Sequence, residues 1–248
     1  MQKIFLSLLF FLTLAFSFIV VSQASIKANL SGTAIVISQI QIGATGNASQ
    51  EFVELYNPTT APIDISGWRV TKKTAAGVET SLKENLSGMI APHTYLLIAH
   101  EGYVHTSIPA DSTYTQNIIA NDNTILLYNA SGALLDKVGM GNAGDKEATT
   151  EPNPTTNRSI IRKATATSTA QSLTSGDEAL SGNGYDSDNN DFDFITLTTA
   201  MPRNSLSPAS PPISTPTPQP TLAPTTVPSV TPITPQTHRL SFLPQRQQ

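Results

Sequence analysis

Between residues 30 and 200 no stretch keeps apolar side chains at the 3.6-residue spacing that a packed helix requires. Short runs rich in Val, Ile, Leu and Tyr recur instead, each cut off by Gly, Asn, Pro or Asp. That pattern leads to a β-sandwich or barrel. Eight runs qualify: 34–42, 51–57, 68–72, 95–99, 124–129, 134–138, 159–162 and 192–196. In the first, Ile35 and Ile37 share one parity while Ile40 and Ile42 take the other, which predicts a bulge near Ser38 and Gln39. In the second, Val53 and Leu55 face one way and Phe52, Glu54 and Tyr56 the other. Glu54, set between two aromatics, is expected to bond to backbone or to an aromatic donor at a sheet edge. Asn57-Pro58, Ser66-Gly67, Asn121-Asp122-Asn123 and Asn129-Ala130-Ser131-Gly132 mark turns, the last at hairpin spacing. Trp68, just after a Ser-Gly turn, is expected to anchor a strand, its burial worth about 2–3 kcal/mol. The fold class this predicts is all-β, an immunoglobulin-like β-sandwich over residues 30–201.

The two ends have a different character. Lys3 precedes an uncharged run from Ile4 to Val21, and Ser22-Gln23-Ala24 places small residues where a signal peptidase reads them. Residues 1–24 are therefore read as a signal peptide, with a retained membrane anchor as the alternative. Both routes export the chain, so secretion or cell-surface display is expected. From Pro202 to Pro235 there are eleven prolines among Ser and Thr. Proline lacks an amide donor and fixes φ, so residues 202–248 are expected to form a disordered Pro/Thr-rich linker or stalk. Residues 239–248 contain no hydrophobic span, and Leu243-Pro244-Gln245-Arg246 only begins like a sortase motif.

Composition narrows the chemistry. The absence of cysteine removes disulfides, thiolate metal sites and a cysteine nucleophile together. All 18 acids fall between Glu51 and Asp193, against ten bases between residues 29 and 203, so the folded part carries a net charge of −8. That is the wrong sign for a phosphate backbone, and nucleic acid is not expected as a partner. His100 and His105 flank Glu101 at a spacing of five on a strand-like stretch. A zincin needs two histidines four apart on a helix, and zinc is not expected. His93 lies in a turn and His238 in the tail. No G-x-S-x-G elbow or phosphate loop is present, and Glu51 or Glu54 is not singled out as half of a hydrolytic carboxylate pair. No catalytic or cofactor-binding residue is assigned. Lys72-Lys73 reads as a strand end facing water. Asn29, Asn47, Asn85, Asn129 and Asn157 each open a sequon, relevant only where the source glycosylates.

One acidic turn is a metal candidate. Asp186, Asp188, Asn190 and Asp191 offer closely spaced oxygens to a hard cation such as Ca²⁺. The turn departs from an EF-hand loop, with Asp191 in place of the glycine, Leu197 in place of the last glutamate, and no flanking helices. A solvated acidic turn is the alternative.

The order Ile35-Val36-Ile37-Ser38-Gln39-Ile40, then Glu51-Phe52-Val53-Glu54-Leu55-Tyr56-Asn57-Pro58, then Ile63-Asp64-Ile65-Ser66-Gly67-Trp68-Arg69-Val70 resembles the opening strands of a lamin tail domain. The stretches 94–99, 123–129 and 132–139 are similar to its middle strands, so the resemblance covers roughly 34–142. Arg158 to Lys163 and the turn leading to Asp191-Phe192 resemble the extra strands, here 157–199, of exported prokaryotic members. The resemblance implies an immunoglobulin-like sandwich without catalysis of its own. Nuclear lamins use such a domain to contact chromatin and proteins, but this chain has no coiled-coil rod and is acidic. The expected role is a secreted or surface interaction module with a protein or cell-envelope partner, touching membrane only through an uncleaved amino terminus. An accessory hydrolase or nuclease-associated domain, or a Ca²⁺-stabilised adhesive domain, stands as the alternative.

Overall fold

The computed structural model describes residues 34–105 and 107–213. The signal segment at 1–24 and most of the expected stalk lie outside them. The elements are β1 (Val36–Ala44), β2 (Asn47–Tyr56), β3 (Ile63–Asp64), β4 (Arg69–Lys73), β5 (Glu79–Lys83), β6 (Met89–Ile90), β7 (Tyr95–His100), β8 (Ser112–Tyr114), β9 (Thr124–Tyr128), β10 (Leu134–Gly139), β11 (Ser159–Arg162), α1 (Ala170–Thr174), α2 (Asn190–Asp193) and β12 (Phe194–Leu197). A six-stranded sheet in the order β12-β11-β1-β2-β7-β8 faces a four-stranded sheet in the order β10-β9-β4-β5, and β3 and β6 form a short ribbon. Among the described residues every strand pairing is antiparallel except β7 with β8. This is the all-β sandwich expected from the strand pattern.

All eight expected strands are present. The pairing of β1 with β2 slips between Ile37 and Gln39, which is the bulge demanded by the parity change. Its effect is to return Ile35, Ile37 and Ile40 to one core, against which Ile42 also packs. The core between the sheets further holds Val53, Leu55, Val70, Leu96, Ile98, Ile125, Leu127 and Val138, with Trp68 at its margin. The Asn129–Gly132 turn joins β9 and β10 as a hairpin. The Asn129 side-chain carbonyl accepts N–H bonds from Ser131 and Ala133, and Gly132 takes φ +82°. The strands β3, β5, β6 and β8 lie outside the eight runs, β3 falling within the 63–70 stretch that resembles a lamin tail opening strand. β5 has Leu82 as its one buried apolar side chain, and β8 is three residues long; both are edge strands without a readable period. β3 and β6 are two residues each, too short for any period. At the other end, β12 begins at Phe194 rather than Phe192, because Asn190–Asp193 close a helical turn first.

Both faces of the six-stranded sheet are covered. Phe52, Glu54, Tyr56, Tyr95 and Leu97 point away from the partner sheet yet are buried. A cluster of Phe52, Leu97 and Ala99 receives Tyr103, Ile108 and Ala200, and a second of Ile161 and Leu197 receives Leu173 of α1. Residues 201–211 run across this face as a strap. Gln39 exchanges two bonds of 3.0 Å with the backbone of Met201, and the Arg203 N–H donates to Glu54 Oε2 at 2.6 Å. Asn204 donates to Pro109 O, Ser205 N to Asp111, and Ser210 N to His93 O. Tyr56 Oη donates to Ser210 O at 2.6 Å, and Gly182 N donates to Pro211 O. The sequence reading ends the sandwich at 201, but hydrogen bonding onto it continues to Pro211. Prolines 202, 208 and 211 suit the strap because the N–H groups it uses belong to residues 201, 203, 205 and 210, none of them a proline.

Candidate functional site

The most concentrated buried chemistry surrounds Arg162, whose side chain is fully buried at the end of β11. Its Nη2 donates to both oxygens of Asp136 on β10 at 2.8 and 2.9 Å, and its Nε donates to Ile37 O at 2.8 Å. The second Asp136 oxygen also accepts the Ile37 N–H at 2.6 Å. One guanidinium thus ties β1, at its bulge, to the facing sheet, and lies 4.6 Å over the Phe194 ring. Nη1 is 3.3 Å from Asp186 and 3.7 Å from Asp193. The carboxylates of Glu147, Asp186 and Asp193 lie within 4.8 Å of one another. With one arginine among four carboxylates, burial first and then the charge of Asp136 push Glu147 up to about 8.

That arrangement locates the sequence-derived metal candidates. Asp186 belongs to the Arg162 cluster, and its Oδ1 accepts from Asp188 N at 3.2 Å. Asn190 is fully buried: its Oδ1 accepts from Gly139 N and Glu147 N, and its Nδ2 donates to Lys137 O and Glu147 Oε2. Asp188 and Asp191 are exposed. Among the described residues, the carboxylates that gather are Glu147, Asp186 and Asp193, with Arg162 as their cation; Asp186, Asp188 and Asp191 do not converge. His100 and His105 are not brought to one point either. His100 Nδ1 accepts from Gly102 N and His105 Nδ1 from Ile108 N, each closing its own turn. Lys72 and Lys73 are tied down, Lys72 Nζ to Ile118 O and Lys73 Nζ to Asp145 at 2.9 Å, with Lys137 on the other Asp145 oxygen.

Two glutamates of β2 are also bound. Glu51 accepts from Tyr114 Oη at 2.8 Å and Ile119 N at 2.9 Å, and burial pushes it up to about 7. Glu54 lies on a central strand rather than at an edge. It accepts from Ser38 Oγ at 2.6 Å and from Arg203 Nη2 at 2.8 Å, and Arg203 stacks 3.8 Å over the Tyr95 ring. Asn183 joins the two arginine centres, donating to Arg162 O and accepting from Arg203 Nη1. Sequence reasoning missed Arg162, Asp136 and Arg203. The available signal was Glu54 itself, an acid inside a buried strand that demanded a cation from a chain with few to offer.

Among the clefts open on the surface of the described residues, one of about 400 Å³ lies on the covered face of the large sheet. It lies between the β1–β2 hairpin end, the 103–105 loop and the start of the strap, and is lined by Gln41, Asn47, Gln50, Tyr103, His105 and Asn157 among others. A neighbouring cavity of about 280 Å³ shares His105, Ala200 and Pro202 with it. Cleft and loops sit on a rigid sheet, which suits recognition.

Residues 29–142 match the family model of the lamin tail domain. No curated protein matches the chain.

Proposed function

Because the chain carries a lamin tail domain over residues 29–142, an immunoglobulin-like module suited to structural and protein-interaction roles, we propose that it works as an exported, non-catalytic interaction module. In this reading residues 1–24 direct export, the proline-rich stretch beyond the strap is a spacer, and the partner is a protein or component of the cell envelope. The observation that carries the non-catalytic part is how the buried ionisable groups are used. Glu51, Glu54, Asp136, Arg162 and Arg203 each hold separate segments of chain together. A hydrolase would instead leave such a carboxylate facing a cleft, poised beside a second one. The acidic balance of 18 acids to ten bases favours a protein or neutral partner over nucleic acid.

The test is surface accessibility. The full chain, tagged at its carboxyl end and expressed in its source cells, is expected to be lost from intact cells on protease treatment or recovered outside them. Protection until the cells are lysed would overturn the export reading. Turnover of any envelope polymer that Glu54→Gln abolishes without loss of folding would overturn the non-catalytic one.

A further inference from the structure

Among the described residues no Asp, Glu, Lys or Arg lines the cleft beside Tyr103, as none lines the smaller one at Ile42, Asn121 and Asn153. An ionic ligand would find no counter-charge there. Its polar lining is largely primary amides, each already fixed by the backbone. Gln41 gives its Nε2 to Gly43 O and Gln50 O, leaving Oε1 as an acceptor. Gln50 donates to Val104 O and accepts from Val104 N. Asn47 donates to Gly102 O and accepts from Ser49 N, and Asn157 pairs with the N–H and hydroxyl of Thr45. A primary amide has two N–H donors and two lone pairs, so each of these keeps capacity while its orientation is set. Ligand binding then costs little side-chain entropy.

Two aromatic rings, Tyr103 and His105, also line the cleft. Tyr103 meets Phe52 edge-on beneath it, at 5.9 Å and 78°, and stacks with His105 at 6.1 Å and 9°. Because His105 Nδ1 accepts the Ile108 N–H, the ring's N–H donor is at Nε2.

We infer that this cleft binds a neutral oligosaccharide. A pyranose has an apolar C–H face, which a ring stack covers, and a rim of hydroxyls that donate and accept, which fixed amides satisfy. The volume of about 400 Å³ falls in the range of small-ligand clefts. The neighbouring cavity shares His105, Ala200 and Pro202 with it, and the one charged residue in its lining, Arg203, is already paired with Glu54; two adjacent cavities favour a chain of sugars over a single one. This rests on the interaction-module reading and gives that module an envelope glycan as its ligand.

The experiment is calorimetric titration of the full chain with neutral hexasaccharides of glucose, xylose, mannose and N-acetylglucosamine, with oligogalacturonate as the charged control. At least one neutral probe is expected to bind more tightly than about 1 mM, and the charged control to bind at least tenfold more weakly. His105→Ala, an exposed ring whose removal leaves the core intact, and Gln41→Ala, checked for an unchanged melting temperature, are each expected to weaken binding about fivefold or more. Absence of binding by all four neutral probes, equal binding of the charged control, or affinity unaltered in both variants overturns the inference. A proline-rich peptide binding the cleft, with loss in His105→Ala and no neutral sugar bound, also overturns it. Failure of the module reading looks different: there the bound hexasaccharide would be recovered shortened.

Discussion

Arg203→Met removes the guanidinium that clamps the strap to the large sheet while keeping most of the side-chain stem. In the wild type that group donates to Glu54 Oε1 at 2.8 Å, Tyr95 Oη at 2.6 Å and Asn183 Oδ1 at 2.5 Å, and covers the Tyr95 ring. The variant leaves Glu54, whose side chain is 0% exposed, with Ser38 Oγ and the residue-203 N–H as its remaining donors. Breaking a buried pair from one side costs about 3–5 kcal/mol, because the other charge stays behind without its partner. The Arg203 side chain is 20% exposed, so water reaches part of the pair; screening reduces the expected loss to about 2–4 kcal/mol. For a domain of this size that is a fall in melting temperature of roughly 5–15 °C. Urea unfolding of the full chain followed by tryptophan fluorescence measures it, since Trp68 is the one tryptophan and lies in the core. The cycle closes with Glu54→Gln and the double variant, in which a coupling of at least about 1.5 kcal/mol is expected. A loss below about 1 kcal/mol with no coupling would refute the reasoning, returning the boundary of the folded unit to residue 201 and the strap to the spacer.

Gly182→Ala should loosen the same strap from its far end: a Cβ there would overlap Tyr56 Oη and lie 2.5 Å from Ser210 O, so their hydrogen bond must break. Its cost in the same urea assay should be sub-additive with that of Arg203→Met, and full additivity would mean that the two ends act independently. Glu51 is raised from 4.5 to about 7, so the folded state binds a proton that the unfolded state has released. Its stabilisation is complete below about pH 4.5 and is lost as pH rises through 7, by at most about 3 kcal/mol. Glu51→Gln should make the fall of melting temperature with pH shallower over that window, and an unchanged slope would place the titration elsewhere, as at Glu147 or Glu151. Arg162→Met strands Asp136 in the core and should cost about 3–5 kcal/mol, whereas Asp136→Leu combined with Arg162→Met should recover at least about 1 kcal/mol of it. A double variant no more stable than the single one would show that the stranded carboxylate is not what the single change costs.

What could be read from the sequence divides along a physical line. Where one face of a strand meets the core, the period of two writes itself into the residues, so Val53 and Leu55, the parity break at Ser38 and the Asn129–Gly132 hairpin are all legible. The covering of the second face is not. The alternation places Phe52, Glu54 and Tyr56 on it correctly, but Arg203 and Ser210, which cover Glu54 and Tyr56, lie 149 and 154 positions away, and a pairing at that distance leaves no periodic trace. The same holds for Arg162 and Asp136, each of which sits in an ordinary strand pattern and gains meaning only when two sheets close on them. In the acidic turn the fold directs Asp186 at Arg162 and bonds Asn190 to the backbone of β10 and of Glu147, partners that the local spacing of oxygens does not reveal. Local spacing states which groups are able to meet; long-range topology decides which do. Strap and acidic turn therefore belong to one piece of architecture, joined through Asn183, in which polar groups too costly to bury alone are buried together.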